Sequence, residues 1–290
     1  MFTQLFGHYL LNKGIITGEQ LRAALEAKNG TRAKLGALAI DAGYMTAEQV
    51  EQVHEEQRRV DKRIGDIAVG LGFLTAAQVD ELLARQKTAN IVLGQTLIDL
   101  GYLTNKQFEE ALSGYKASAS FADENTDDSK LAADFVTVLG LENSDKKDIY
   151  VEYLLLLVKN LIRFVGDDFV IGKRIVLDSV KPSYAVSQEI KGEIAAYTAI
   201  CGEEKAFVGI ASRYAGEEVS APDEFAEACV GEFLNLQNGL FSVNISNEKN
   251  IELDLTPQTP EHGADIAVAD GVAIELNFSF GNIIVVVRGK

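Results

Sequence analysis

Cysteine, histidine and long apolar runs are all scarce in this 290-residue chain, and each scarcity closes off a class of protein. Cys201 and Cys229 are its two cysteines, so no disulfide framework exists and a reducing, cytoplasmic setting is expected. His8, His54 and His262 are scattered and meet no cysteine at metal-site spacing, so no zinc or iron centre is expected. The longest apolar stretches, such as Tyr153 to Val158 and Ile283 to Val287, are far too short to cross a bilayer. Met1-Phe2-Thr3-Gln4 lacks the basic start and apolar core of a secretory leader. Positive charge is short as well. The net charge is −16, divided as −1 through Lys116 and −15 in the remainder. So acidic a back half repels nucleic-acid backbones and anionic membranes, and neither is expected as a partner. The nearly neutral front half can admit an anionic ligand wherever its Arg and Lys cluster.

What is present is a repeat. Gly7, Gly36, Gly65 and Gly94 fall in one column at a spacing of 29 residues. Gly14, Gly43, Gly72 and Gly101 form a second, Thr17, Thr46, Thr75 and Thr104 a third, and Gln20, Gln49, Gln78 and Gln107 a fourth. A register without slips implies four copies of one structural unit, each stacked on the next. Each copy reads as two short helices. In 34–43, Leu35, Leu38 and Ala39 recur at helical spacing and Gly43 supplies the stop. Thr46 then caps the next helix, with Gln49 three residues on completing a capping box. Both glycine columns are read as helix punctuation. A module of this kind binds or docks, and chemistry is to be sought behind it.

The length allows two domains, and a hydrophobic content of 47% with mean hydropathy of +0.04 fits soluble globular structure. Residues 117–148 read as an acidic linker. Its stretch Ala122-Asp123-Glu124-Asn125-Thr126-Asp127-Asp128 has no periodicity, and a short helix is expected from Leu131 to Leu141. From 149 a second domain follows: a helix through Val165, then strand-like segments at Arg174–Leu177, Gly192–Ile200, Ile251–Leu255, Val272–Phe278 and Ile283–Val287. Helices are expected at Glu204–Ala215 and Pro222–Phe241. The expected architecture is therefore multi-domain: an all-α repeat module over 1–116 and an α+β domain with an antiparallel sheet and long helices over 149–290.

The 222–241 helix carries the candidate chemistry. Ser220 is its expected cap, with Pro222 in the first turn and Asp223 and Glu224 set against the dipole. On a helical wheel Phe225, Cys229, Phe233, Leu236 and Leu240 make an apolar sector that Val230, Leu234 and Phe241 widen. The remaining strip holds Glu224, Ala228, Gly231, Glu232, Asn235 and Gly239. Glu232 and Asn235, at i and i+3, project together from among small residues, which lets another protein approach closely. Ordinary solvated residues give the same spacing.

The segment Gly231-Glu232-Phe233-Leu234-Asn235-Leu236-Gln237-Asn238-Gly239 resembles the G-E-x-x-N-x-x-x-G segment of the CheX/CheC family, phosphatases of phosphorylated CheY-type response regulators. The likeness extends over roughly 149–290. It takes in the leading helix, the Gly192–Ile200 strand, the helix pair, Leu255-Thr256-Pro257, and the turn Phe278-Ser279-Phe280-Gly281-Asn282. The resemblance implies that Glu232 pairs with a lysine of the receiver and that Asn235 orients the water attacking its aspartyl phosphate. The Mg²⁺ in that reaction belongs to the receiver, so this chain needs no cofactor of its own. The CheC branch carries a second E-x-x-N on its leading helix. Here Glu152 is followed at the matching place by Leu155, which implies a single, CheX-like site.

Residues 34–57 and 63–86 resemble the paired motifs of the MshEN domain, whose two 24-residue motifs bind cyclic di-GMP and open R-L-G and close on Gln. The matching residues are Lys34-Leu35-Gly36 with Gln57, and Arg63-Ile64-Gly65 with Gln86, separated by Arg58-Arg59-Val60-Asp61-Lys62. The outer copies open Leu5-Phe6-Gly7 and Val92-Leu93-Gly94 and lack the final Gln. Lysine cannot offer the planar fork of arginine. Cyclic di-GMP as an effector and a docking module that has lost the nucleotide both stay open. The expectation is a cytoplasmic signalling protein that dephosphorylates a CheY-like receiver, with a non-catalytic receiver-docking scaffold or cyclic di-GMP adaptor as the alternative. Homodimerisation through edge strands is left open.

Overall fold

In a computed structural model of the chain, describing residues 2–28, 30–86, 91–118, 132, 135–137, 139–142 and 144–289, the Thr and Gln columns start the helices that they spell. The 122–128 stretch and most of the expected 131–141 helix lie outside the described residues. The front helices are α1 (Phe2–Asn12), α2 (Gly18–Lys28), α3 (Leu35–Asp41), α4 (Ala47–Gln57), α5 (Ile64–Gly70), α6 (Ala76–Arg85), α7 (Val92–Asp99) and α8 (Asn105–Ser118). At α4 the Thr46 amide donates to Gln49 Oε1 at 2.8 Å while the Gln49 amide donates to Thr46 Oγ1 at 3.3 Å. The same reciprocal pair opens α2, α6 and α8. Gly14, Gly43, Gly72 and Gly101 all sit at φ between +65° and +75°, the left-handed stop that an L side chain resists.

The other glycine column is not punctuation. Gly36 and Gly65 lie inside helices, where an added Cβ would come within 2.8 Å of Val50 and 2.9 Å of Val79, and at Gly94 it would run into the Phe108 ring. Each glycine lets the first helix of its copy press onto the second. Linear stacking is also replaced by nesting. Helix α4 packs on α5 and α3 on α6, so copies two and three pair; α2 packs on α7 and α1 on α8, so copies one and four pair. Phe2, Phe6 and Tyr9 meet Phe108 and Tyr115 between α1 and α8, with ring centroids 5.4 to 6.3 Å apart. Helices of two or three turns bury too little alone. Packing the first helix of one copy on the second of another covers both apolar stripes.

The chain divides into two compact units, Phe2–Ala122 and Asp123–Lys290. In the second, α9 (Lys147–Phe164), α10 (Glu204–Ala215) and α11 (Glu224–Lys249) accompany strands β1 (Phe169–Ile175), β2 (Ser179–Val180), β3 (Tyr184–Gly192), β4 (Ala196–Gly202), β5 (Leu253–Leu255), β6 (Thr259–His262), β7 (Ile266–Ala267), β8 (Gly271–Phe278) and β9 (Gly281–Gly289). The main sheet runs β1-β8-β9-β4-β3-β5, with β6 also on β3, and every pairing is antiparallel. This is an α+β fold with an antiparallel sheet. The expected strand at Gly192–Ile200 is instead the junction of β3 and β4. The expected Arg174–Leu177 strand starts earlier and stops at Ile175, leaving Val176 and Leu177 exposed.

Alternation along β3 assigns its two faces. Val186, Gln188 and Ile190 share the side that meets α11; Ala185 joins Ala199, Cys201, Ala273 and Val286 under the small β2–β7 sheet. Helix α11 lies across β3, β5 and β4 and touches α9 and α10. It is the element that the rest of the unit positions.

Candidate functional site

Helix α11 begins two residues later than Pro222 would start it and runs on to Lys249. Its cap is Asp223, not Ser220: Asp223 Oδ1 accepts from the Phe225 and Ala226 amides, both at 3.1 Å. The apolar face also differs from the expected sector. Cys229, Val230, Phe233, Leu234 and Phe241 are buried, but so are Gly231, Gln237 and Asn238, while Phe225 and Leu240 are exposed. The buried face is rotated because polar side chains at Gln237 and Asn238 find partners inside.

Those partners form one connected system. Tyr153 of α9 donates its hydroxyl to Asn238 Oδ1 at 2.8 Å. Asn238 Nδ2 donates to Gln188 Oε1 and to Thr198 Oγ1, each at 2.8 Å. Thr198 Oγ1 donates to the Gln188 carbonyl at 2.9 Å. Gln188 Nε2 donates to the Thr256 carbonyl at 2.8 Å and to Asn235 Oδ1 at 2.9 Å. Beside this, Asn160 Nδ2 donates to Gln237 Oε1 at 2.7 Å, and Gln237 Nε2 donates to the Tyr153 carbonyl at 3.1 Å. Tyr153, Asn160, Gln188, Thr198, Gln237 and Asn238 are all buried, and burial pushes the Tyr153 hydroxyl up, so it stays a donor. Thr256 is held opposite Glu189 by two backbone-directed bonds of 3.0 Å, which brings its carbonyl to Gln188.

Asn235 is the outermost member, half-buried, with its carboxamide held from behind. Glu232, one turn before it, is exposed and makes no ion pair among the described residues. Tyr214 of α10 approaches this carboxylate. Its hydroxyl is raised first by burial and then by the Glu232 charge, and its ring lies 5.7 Å from Phe233. On the same face Phe225, Leu240 and Val243 are exposed to 50%, 41% and 57%. Phe225, Leu236, Gly239 and Val243 fall within about 40° of Glu232 around the helix. The result is an open apolar strip about 27 Å long, centred on a single carboxylate and flanked by a fixed amide.

On α9, Glu152 is half-exposed, its carboxyl held above the usual range by burial and then by Glu248, and Leu155 is buried. The 278–282 turn packs against α10: Phe280 fills the space over Gly209, and Ser279 Oγ donates to Asp168 Oδ2 at 2.6 Å. Among the described residues no group of His, Cys, Asp and Glu is set to hold a metal ion, and no helix is long and apolar enough to cross a membrane.

In the repeat unit, Leu35, Gly36 and Gly65 are buried and Ile64 half-buried, while Lys34, Gln57 and Arg63 are exposed. The pairing of copies two and three brings Leu35 within 3.5 Å of where a Gly65 Cβ would lie. Lys34 Nζ pairs with Asp99 at 2.7 Å and its amide donates to Gln95 Oε1 at 3.1 Å. Gln86 Nε2 donates to the Ala33 carbonyl at 2.7 Å, tying copy three to the start of copy two; Gln57 Nε2 donates to the Lys62 carbonyl at 3.3 Å. Each closing glutamine thus spans to the opening of a neighbouring motif.

No family model matches the chain, and no curated protein does. Similar solved structures include a CheC-like superfamily protein from Shewanella sp. PV-4, 21% identical over 49% of this chain and 97% of that one, with a TM-score of 0.41. The chemotaxis protein CheX from Vibrio vulnificus is 14% identical over 49% of this chain and 99% of its own, with a TM-score of 0.43. A CheX–CheY–BeF3–Mg²⁺ complex from Borrelia burgdorferi contains a chain 18% identical over 49% of this one and 97% of its own, with a TM-score of 0.42.

Proposed function

We propose that the α+β unit hydrolyses the aspartyl phosphate of a CheY-type receiver docked along the exposed face of α11. The observation that carries this reading is the pairing of an unengaged Glu232 with an Asn235 whose carboxamide is fixed by Gln188. A solvated pair of no consequence needs no buried support; this amide has one reaching through Gln188 and Asn238 to Tyr153.

In this reading the apolar strip of Phe225, Leu236, Leu240 and Val243 meets the receiver surface, and Glu232 pairs with a receiver lysine. Asn235 holds a water in line with the phosphorus. The water oxygen attacks, the bond from phosphorus to the aspartyl oxygen breaks, the aspartate leaves as a carboxylate, and the water proton passes to solvent. An acyl phosphate is already activated, so positioning is most of the task. An amide suits it because it both donates and accepts without charge. Mg²⁺ sits on the receiver, as part of the substrate. Leu155, three residues after Glu152 where the motif has Asn, leaves α9 without a second pair.

For the repeat unit we propose that copies two and three together are the place where cyclic di-GMP acts as an effector. In this reading the motif residues Lys34, Leu35, Gly36 and Gln57 act together with Arg63, Ile64, Gly65 and Gln86, and Lys34 leaves Asp99 to meet the ligand.

The test is phosphate release from a phosphorylated CheY-type receiver with and without the native chain. Acceleration supports hydrolysis. Binding without acceleration supports the docking scaffold.

A further inference from the structure

We infer that Gln188 is the positioning residue of this site, and that it fixes Asn235 with the amino group outward; the inference rests on the phosphatase reading above. The argument follows donors and acceptors. The Thr256 carbonyl can only accept, so the Gln188 end that meets it, at 2.8 Å, is the amino end. The other end of Gln188 is then the oxygen, and it accepts from Asn238 Nδ2 at 2.8 Å. Asn238 therefore turns its own oxygen to the Tyr153 hydroxyl, 2.8 Å away, and its second N–H to Thr198, whose hydroxyl in turn donates to the Gln188 backbone carbonyl. Every member of the chain is orientated by a backbone carbonyl at one end or a phenol at the other. The second N–H of Gln188 has Asn235 Oδ1 as its acceptor at 2.9 Å. Asn235 thus presents its Nδ2 donor to whatever covers α11.

A water held there accepts from Asn235 through one lone pair and keeps the other for the phosphorus. Gln188 touches neither receiver nor water. Its part is to deny Asn235 the flipped state, in which an outward oxygen would accept from the water instead.

The experiment uses the full chain, a phosphorylated CheY-type receiver and side-chain amide NMR of Asn235. Gln188→Leu removes the donor at similar size. It is expected to lower kcat for phosphate release roughly ten- to a hundredfold while KM for the receiver stays within about twofold, the pattern of lost orientation without lost docking. The Asn235 amide signals should move to those of a freely rotating side chain. Gln188→Glu, the second variant, keeps the shape but turns an acceptor toward Asn235. Its amide should then stay ordered and invert, and kcat should fall as in Gln188→Leu. A kcat unchanged in both variants, or an Asn235 amide that responds to neither, overturns the inference while native activity keeps the phosphatase reading. A native chain that releases no phosphate overturns that reading and the role of Gln188 with it.

Discussion

The two units use polar side chains in opposite ways. In the repeats, the regularly spaced polar groups are at the surface: Thr and Gln close each helix start within three residues of one another. In the α+β unit the polar groups that matter are inside and far apart in sequence: Gln188 bonds residues 47 and 50 positions away, and Tyr153 one 85 away. The first kind of bond shapes one helix and tolerates loss. The second is buried on every side, so each lost member strands its neighbours, and its cumulative effect is to hold one amide still at a surface.

The sharpest way to break this contrast is to remove the hub. Asn238→Leu leaves Gln188 Oε1, Thr198 and the Tyr153 hydroxyl without their partner and is expected to cost about 3 kcal/mol or more. Amide hydrogen exchange should quicken through β3, β4 and α11 while α1 to α8 keep their rates. Acceleration spread over both units would erase the distinction. Next is Gly94→Ala, where the new methyl meets the Phe108 ring. A loss of about 1–3 kcal/mol is expected from overpacking, confined in exchange measurements to the repeat unit. Thr75→Ala, which opens one capping box, should cost about 1 kcal/mol and fray only the start of α6. The smallest effect concerns the effector proposal. Calorimetry with cyclic di-GMP should show Arg63→Ala weakening binding more than Lys34→Ala, because a guanidinium engages phosphate through two parallel bonds and Lys34 is already engaged by Asp99. Binding insensitive to Arg63→Ala places the nucleotide elsewhere.

This contrast also explains what could be read in advance. Capping boxes and left-handed glycines are decided within a few residues, so Thr46, Gln49 and Gly43 could be assigned from sequence. Glu204–Ala215 was legible for the same reason, its apolar spacing and left-handed Gly216 being local. The role of Gly36, Gly65 and Gly94 was not, because it depends on which helix lies opposite, nor was the nesting of copy one with four. At the site, Glu232 and Asn235 stood out by spacing. Gln188 did not, since the sequence pattern shows one strand at Gly192–Ile200 where β3 ends and β4 begins. Asn238 carries a local signal: a polar residue at i+4 from Leu234 and i−3 from Phe241, between apolar residues of one face, calls for a buried partner. Asp223 displaced Ser220 as cap because its carboxylate reaches two amides at once.

The central claim is that a fixed amide on α11 performs hydrolysis, and it is tested most directly by phosphate release from a phosphorylated CheY-type receiver with the native chain and Asn235→Ala side by side. The account predicts that the native chain accelerates release, and that Asn235→Ala returns it to the receiver's spontaneous rate while still binding the receiver. Equal release with the native chain, the variant and no added protein would contradict it, as would an Asn235→Ala variant as active as the native chain.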